Sequence, residues 1–314
     1  MNAFKTTARC AFSLVVFALI LYLVDAHGVV ETIRTADAAS VLIAACTALG
    51  AQAIAAIRLR QLLAMQEIAL SVRRVFLIGL AATFYGLLIP GGTVASVAAR
   101  FVQLSRDARV ETIAAALVVD RSVAVVFLFV IGALTIAFDK AEPAWVGAML
   151  AGVLCGIGIF AIGRRALVWL TARLDDLASD RSPGRVRRFG ARIGRALSNY
   201  TAASGAEIRI VLATSLLAHL SGCCAYYAIA LGLGFDISFL TICWIRSGVI
   251  LATMVPVSLA GIGMREISSI SLLVPLGFTE AQAVGFSILI FLSTSVLVGL
   301  IGGSSELLGA TSRR

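Results

Sequence analysis

The sequence predicts an all-α polytopic membrane protein with about six full transmembrane helices plus two re-entrant helical hairpins in an inverted-repeat arrangement. Three observations carry this. The 314 residues are 60% hydrophobic and only 14% charged, whereas soluble domains carry roughly 25% charge. The arginines cluster at the ends of apolar runs, as the positive-inside rule expects of cytoplasmic loops. Two apolar stretches are interrupted by proline and glycine, at Pro90-Gly91-Gly92 and at Pro256, Gly261 and Gly263. Proline removes a backbone donor and glycine bends freely. Such irregular backbone is tolerated at membrane depth only where protein or a water-filled cavity borders it.

Taken in order, residues 10–24 follow Lys5 and Arg9 and lack a small-x-small cleavage site, so they read as an uncleaved first span. Residues 38–57 form the second span, and Arg58, Arg60, Arg73 and Arg74 put the 58–74 loop in the cytoplasm. The 25–37 stretch, with three acidic residues against Arg34, then reads as an outer loop. Residues 75–89 are too few to span, since a crossing needs roughly 20 residues. A turn at 90–92 returns Arg100, Arg106 and Arg109 to the cytoplasm. Spans at 112–138 and 145–162 follow, joined by an outer turn around Asp139 and Pro143.

The polar segment 164–209 holds ten arginines and four acidic residues, and 186–200 is partly amphipathic. It reads as a cytoplasmic loop with surface helices, either solvated or recognising anionic headgroups. Beyond it come a span at 210–231, an outer loop at 232–238, a second hairpin at 239–274, a loop at 275–280 and a last span at 281–302. Arg313 and Arg314 keep the C-terminus inside, so both termini are expected in the cytoplasm of a plasma (inner) membrane protein. Residues 1–314 thus form a single integral membrane domain, with repeat A at about 38–138 and repeat B at about 210–302. Interrupted segments in corresponding positions point to a transporter's midplane site.

The net charge of +9 suggests nucleic acid, but its distribution is topogenic, so no nucleic-acid partner is expected. The six cysteines show no ligand spacing and read as small apolar packing. No phosphate-binding loop, dinucleotide fingerprint, Ser-His-Asp set or metal cluster is present in the sequence. Neither a cofactor nor an enzymatic role is expected.

Charged residues at membrane depth are the functional candidates. Arg265 would hold a phosphate or carboxylate through its planar fork. Glu266 would balance charge, accept a proton or meet an amine headgroup; a structural ion pair is the competing reading. Asp120-Arg121, about 12 Å into its span at 1.5 Å per residue, carries the same two readings, with Arg100 or Arg265 as network partners. Arg246 is either a gate for an anionic lipid or a snorkelling side chain. His219 is either a packing histidine or a proton relay.

The run Pro256-Val257-Ser258-Leu259-Ala260-Gly261-Ile262-Gly263-Met264-Arg265-Glu266 resembles the C-terminal signature of the lysylphosphatidylglycerol synthase transmembrane family, described as flippase-like. Leu276 to Ala281, Asp120-Arg121, Pro90-Gly91-Gly92 with Arg100, and Arg58 with Leu62-Leu63 are similar to other family features. Ala260 stands where that family usually has glycine, and Thr93-Val94 where glycine and an acidic residue are common. The resemblance implies translocation of a lipid between leaflets, without the soluble synthase domain. The expected partners are membrane lipids with anionic or zwitterionic headgroups, a separately encoded synthase and, for oligomers, further copies of the chain. Arg100, Asp120, Arg121, Arg246, Ser258, Arg265 and Glu266 are the expected substrate contacts. A lipid-modifying transferase and a non-catalytic synthase subunit are the rival readings.

Overall fold

A computed structural model of the protein describes residues 22, 24–89, 93–106, 108–139, 185–254 and 261–311. Among these the chain is helical, with no strand. The first span, the 145–162 span, residues 164–184, both proline-centred breaks with Ser258, and the terminal arginine pair lie outside or largely outside the described residues.

Helix α1 (Ala26–Thr35) occupies the stretch expected to be an outer loop. Its buried Val29 and half-buried Ile33 pack with Val284, and Gly28 lies against Ala281. Two apolar residues four apart among charges are too short a pattern to announce a helix. Helix α2 (Ala38–Ala64) starts at Asp37, whose carboxylate accepts from the backbone N–H groups of Ala39 and Ser40. It runs seven residues beyond the expected end of the span at 57, so Arg58 is not a loop residue but a buried helical one.

Helices α3 (Val72–Leu88) and α4 (Thr93–Leu104) pack against each other, with Ser71 capping the first. Helix α5 is Val110–Phe138; the next described helix is α6 (Arg185–Ser198), which leads to a 3-10 turn, Asn199–Ala202. Ser204 and Glu207 form a capping box that starts α7 (Gly205–Gly232). Helix α8 (Phe239–Thr253) begins at Ser238, and α9 (Met264–Leu273) begins after a glycine turn. A 3-10 turn (Val274–Leu276) leads to α10 (Glu280–Phe291), a π-helical turn (Leu292–Val296) and α11 (Leu297–Thr311). Four stretches are long and apolar enough to cross a membrane: α2, α5, α7 and the continuous 280–309 stretch. These coincide with four of the six expected spans, and the protein is a multi-pass membrane protein by these lengths.

Helices from the N-terminal part of the chain pack against helices from its C-terminal part. The long helices α2 and α7 pack side by side, antiparallel, joined at one end where the Asp37 N–H donates to the Gly232 carbonyl (3.0 Å). At mid-length the Ser221 hydroxyl donates to the Thr47 carbonyl (2.8 Å). Helix α3 of the first half packs against α11 of the second, and α8 of the second packs against α5 of the first. In lipid, helix association comes from close packing and interhelical hydrogen bonds, so small residues mark the contacts. Gly299, Gly302 and Gly303 of α11 face Leu80, Phe84 and Leu87 of α3, and the Gly302 seat is formed by the Leu80 backbone itself.

The ends of this bundle differ in charge. One end gathers the end of α2, the starts of α3, α5 and α7, and α6, with Arg60, Arg73, Arg74, Arg109, Arg192 and Arg195 among its residues. The 3-10 turn ties it together: the Tyr200 hydroxyl donates to the Leu62 carbonyl at 3.1 Å. Burial pushes the Tyr200 phenol up to about 12. The other end carries Asp25, Glu31, Asp37, Asp139, Asp236 and Glu280 against Arg34. There Asp139 accepts hydrogen bonds from Ser238, Thr241 and the Trp244 indole, fixing the start of α8 to the end of α5.

Candidate functional site

Where the halves meet, α2 and α7 present stripes of small residues at helical spacing: Ala48, Ala51 and Ala55 on one, Ala218, Gly222 and Ala225 on the other. Short side chains leave volume between helices that stay in contact elsewhere. The result is a cavity of about 360 Å³ bounded also by α5, α8, α9 and the π-helical turn. Its polar lining includes Gln52, Arg58, His219, Arg246, Arg265, Thr294 and Ser295. Three arginines and no carboxylate line it among the described residues.

Arg246 crosses from α8 onto α7. Its guanidinium lies in the space over Gly222, where an added Cβ would come within 2.6 Å of Cζ. His219 and Tyr226 flank this seat one turn to either side. Arg246 Nη1 is 3.5 Å from His219 Nδ1, and Cζ is 5.7 Å from the Tyr226 ring centroid. His219 Nε2 is 2.9 Å from the Ala124 carbonyl, which can only accept, so Nε2 carries the proton and Nδ1 presents its lone pair to the arginine. The His219 ring also stacks on Phe127 of α5, so a cage from three helices orients Arg246. Arg246 Nε is buried without a hydrogen-bond partner, a donor that a ligand oxygen would satisfy.

Arg265 enters from the first turn of α9 and is buried. Its guanidinium stands 4.5 Å from the ring centroid of Phe291, the residue just before the π-helical turn. The glycine turn places it: Gly261 and Gly263 have φ of +83° and +89°, conformations costly for any residue with a Cβ. Gly261 also leaves room for Arg265 Nη2, which an added Cβ would meet at 3.2 Å. Glu266, next in sequence, turns elsewhere. One carboxylate oxygen accepts from the Gly263 N–H (2.6 Å) and the other from the Ser287 hydroxyl of α10 (3.0 Å). It holds the turn and joins α9 to α10.

Asp120 lies behind the cavity wall and accepts from Arg58 Nε at 2.8 Å, both side chains being buried. Arg58 Nη1 reaches the Ser215 hydroxyl (3.4 Å), so α2, α5 and α7 share one polar junction. Arg100 and Arg121 lie within electrostatic range of the same carboxylate, and Arg100 passes over Gly79 of α3. Neither lines the cavity. Apart from Glu266, which supports the glycine turn, and Ser258, outside the described residues, the expected site residues fall into two groups. Arg246 and Arg265 face the cavity, while Asp120, Arg100 and Arg121 form a basic cluster bridged to it by Arg58.

Arg58 and the π-helical turn are the parts that sequence reasoning missed. Arg58 was legible only through its family-like position before Leu62-Leu63. The turn had no signal beyond the polar run Ser293-Thr294-Ser295 inside an apolar span. π-turns occur often at functional sites, and this one directs Thr294 and Ser295 to the cavity. Among the described residues no cluster of three or more metal-ligating side chains occurs.

No curated protein and no solved structure matches the chain. The family model described as the lysylphosphatidylglycerol synthase TM region matches residues 7–302. With long apolar helices among its described residues and a match to that model over nearly its whole length, the chain belongs to the lysylphosphatidylglycerol synthase transmembrane-region family, whose name ties it to lipid handling.

Proposed function

We propose that the protein is a flippase-like transporter that moves an anionic or zwitterionic (phospho)lipid, or a lipid-linked intermediate, between leaflets. The observation that carries this is the basic cavity between the two halves, lined by Arg58, Arg246 and Arg265 with no carboxylate among its described residues. Arg246 and Arg265 both face this cavity and in this reading are the headgroup-holding pair, while Arg58 pairs with Asp120 at the junction behind it. A phosphate oxygen at Arg246 Nε would receive the hydrogen bond that this buried donor lacks. The acyl chains would stay in lipid while the headgroup crosses.

In this reading α3–α4 and α8–α9 are the re-entrant hairpins, each entering and leaving from one end of the bundle. The reciprocal packing of the halves is then an inverted repeat, the arrangement in which one half rocks against the other around a midplane site. The basic end is cytoplasmic in a plasma (inner) membrane protein with both termini inside, and its partners are lipids together with a separately encoded synthase.

The test is lipid movement in proteoliposomes with fluorescent lipids of different headgroups. Wild-type protein should move phosphate-bearing lipids selectively. Arg246→Gln and Arg265→Gln, at matched folding and reconstitution, should each lower the rate at least about tenfold, as expected when a charge-assisted contact of about 1.5–3 kcal/mol is lost. Unchanged rates in both variants would remove the headgroup from this cavity.

A further inference from the structure

Helix α6 is unlike the rest of the described protein. Its sequence, Arg185 to Ser198, alternates arginines with apolar residues at helical spacing. Val186, Phe189, Ile193 and Leu197 recur every three or four positions, and Arg185, Arg188, Arg192 and Arg195 recur at the same spacing on another side. Such a helix is too polar to span and suits an interface plane, apolar side inward and basic side at the headgroups.

Its placement is fixed by contacts to the ends of two spans. The buried Ala196 gives its carbonyl to Gln66, which follows α2, and Gln66 in turn accepts from Asn199 at 3.1 Å. Arg192 Nη1 lies 2.9 Å from the Glu111 carboxylate in the first turn of α5, and the arginine side chain is still 62% exposed. Arg195 is exposed as well. These contacts lay α6 across the basic end, at the level where α2 ends and α5 begins, which is the level of lipid headgroups if those helices span. Arg60, Arg73, Arg74 and Arg109 belong to the same end of the bundle.

We propose that α6 is a membrane-surface helix whose exposed arginines bind the headgroups of anionic phospholipids in the adjoining leaflet, at a site separate from the arginine-lined cavity. Each arginine at an anionic surface strengthens attachment by about fivefold, the ratio that corresponds to about 1 kcal/mol. The attraction is screened by salt over a Debye length of about 8 Å at physiological ionic strength. The docking contacts, Arg192 to Glu111 of α5 and the Ala196 carbonyl to Gln66 beyond α2, hold α6 against the ends of these two helices.

The test uses the full chain with its native cysteines replaced and a fluorophore on Thr201→Cys, one turn past α6 and exposed. The protein is placed in nanodiscs of equal parts phosphatidylcholine and phosphatidylglycerol, with one or the other brominated. The wild-type background should be quenched preferentially by brominated phosphatidylglycerol, and added salt should erase the preference. Arg192→Gln with Arg195→Gln should lower the preference at least about fivefold, while Arg192→Lys with Arg195→Lys keeps it, because the attraction follows charge. Equal quenching by both lipids, or a preference that survives the glutamine pair, overturns the proposal. Matched melting temperatures of the two double variants separate lost lipid binding from lost fold. The readout reports the lipid beside α6 alone, so failure of transport in the cavity would leave it unaffected.

Discussion

Replacing the Asp120 carboxylate by its neutral isostere, Asp120→Asn, leaves the 4%-exposed Arg58 without a counter-charge, with Arg100 and Arg121 nearby. Breaking a buried pair from one side costs about 3–5 kcal/mol, so the variant should melt well below wild type in detergent. Adding Arg58→Met should recover most of the loss, since removing both charges removes the desolvation problem. If Asp120→Asn melts like wild type, the pair does not hold the junction. Glu266→Gln makes the opposite case. Glutamine at this position can still accept from the Gly263 N–H and meet Ser287, so stability should fall by less than about 1 kcal/mol. Lipid movement should persist, whereas Glu266→Ala should lose the glycine turn and with it the placement of Arg265. The contrast between Asp120 and Arg58 shows what the sequence disclosed at this scale. A carboxylate inside an apolar run stands out because nothing but function or pairing explains it. An arginine two residues before Arg60, at the end of such a run, is explained equally well as a topogenic charge, so its burial was hidden.

At the scale of elements, the contact between α3 and α11 depends on glycine rather than on any large apolar residue. The Gly302 Cα sits where an added Cβ would run into the Leu80 backbone, and backbone cannot swing aside. Gly302→Ala should therefore push α3 away and cost about 1–3 kcal/mol, the usual range for overpacking. Gly309→Ala on the same helix meets open space and should be neutral or slightly stabilising. A melting experiment on the two variants checks the pair, and equal losses would show that helix propensity, not the contact, is being measured. The long apolar helices were readable because about 20 consecutive apolar residues admit few other structures. Their ends were not. Helix α2 continues to Ala64 because Arg58 finds Asp120 and Leu59 and Leu63 find the core shared with α3, α4 and α5, partners that no local pattern announces. The π-helical turn was invisible for a related reason: it is one extra residue in a turn of apolar helix, and composition does not record a change in hydrogen-bond register.

For the whole molecule, the separation of charge between the ends makes an orientation measurable. Arginines gather where α2 ends and α5 and α7 begin, while acidic residues gather at the ends of α5 and α7. Orientation follows lysine and arginine in short loops, with acidic residues contributing little, so the basic end should face the cytoplasm. In cells carrying a chain freed of native cysteines, Thr201→Cys should react with a membrane-impermeant maleimide only after permeabilisation. Asp236→Cys, between α7 and α8, should react in intact cells. Both positions are exposed, which makes the lack of reaction at one a statement about sidedness rather than burial. The same pair bears on the hairpins. Helices α3 and α4 both open toward the basic end and α8 and α9 toward the acidic end, so a cysteine before α3, at Ser71, should behave like Thr201, and one at Thr279 before α10 should behave like Asp236. Four positions sorting two against two would mean that each short helix pair returns to the side it came from, with the α2–α7 pair crossing between them. A cysteine at Thr279 shielded in intact cells would instead mean that α8 and α9 together make a full crossing. The reciprocal contacts of α3 with α11 and α8 with α5 would then no longer relate two oppositely oriented halves.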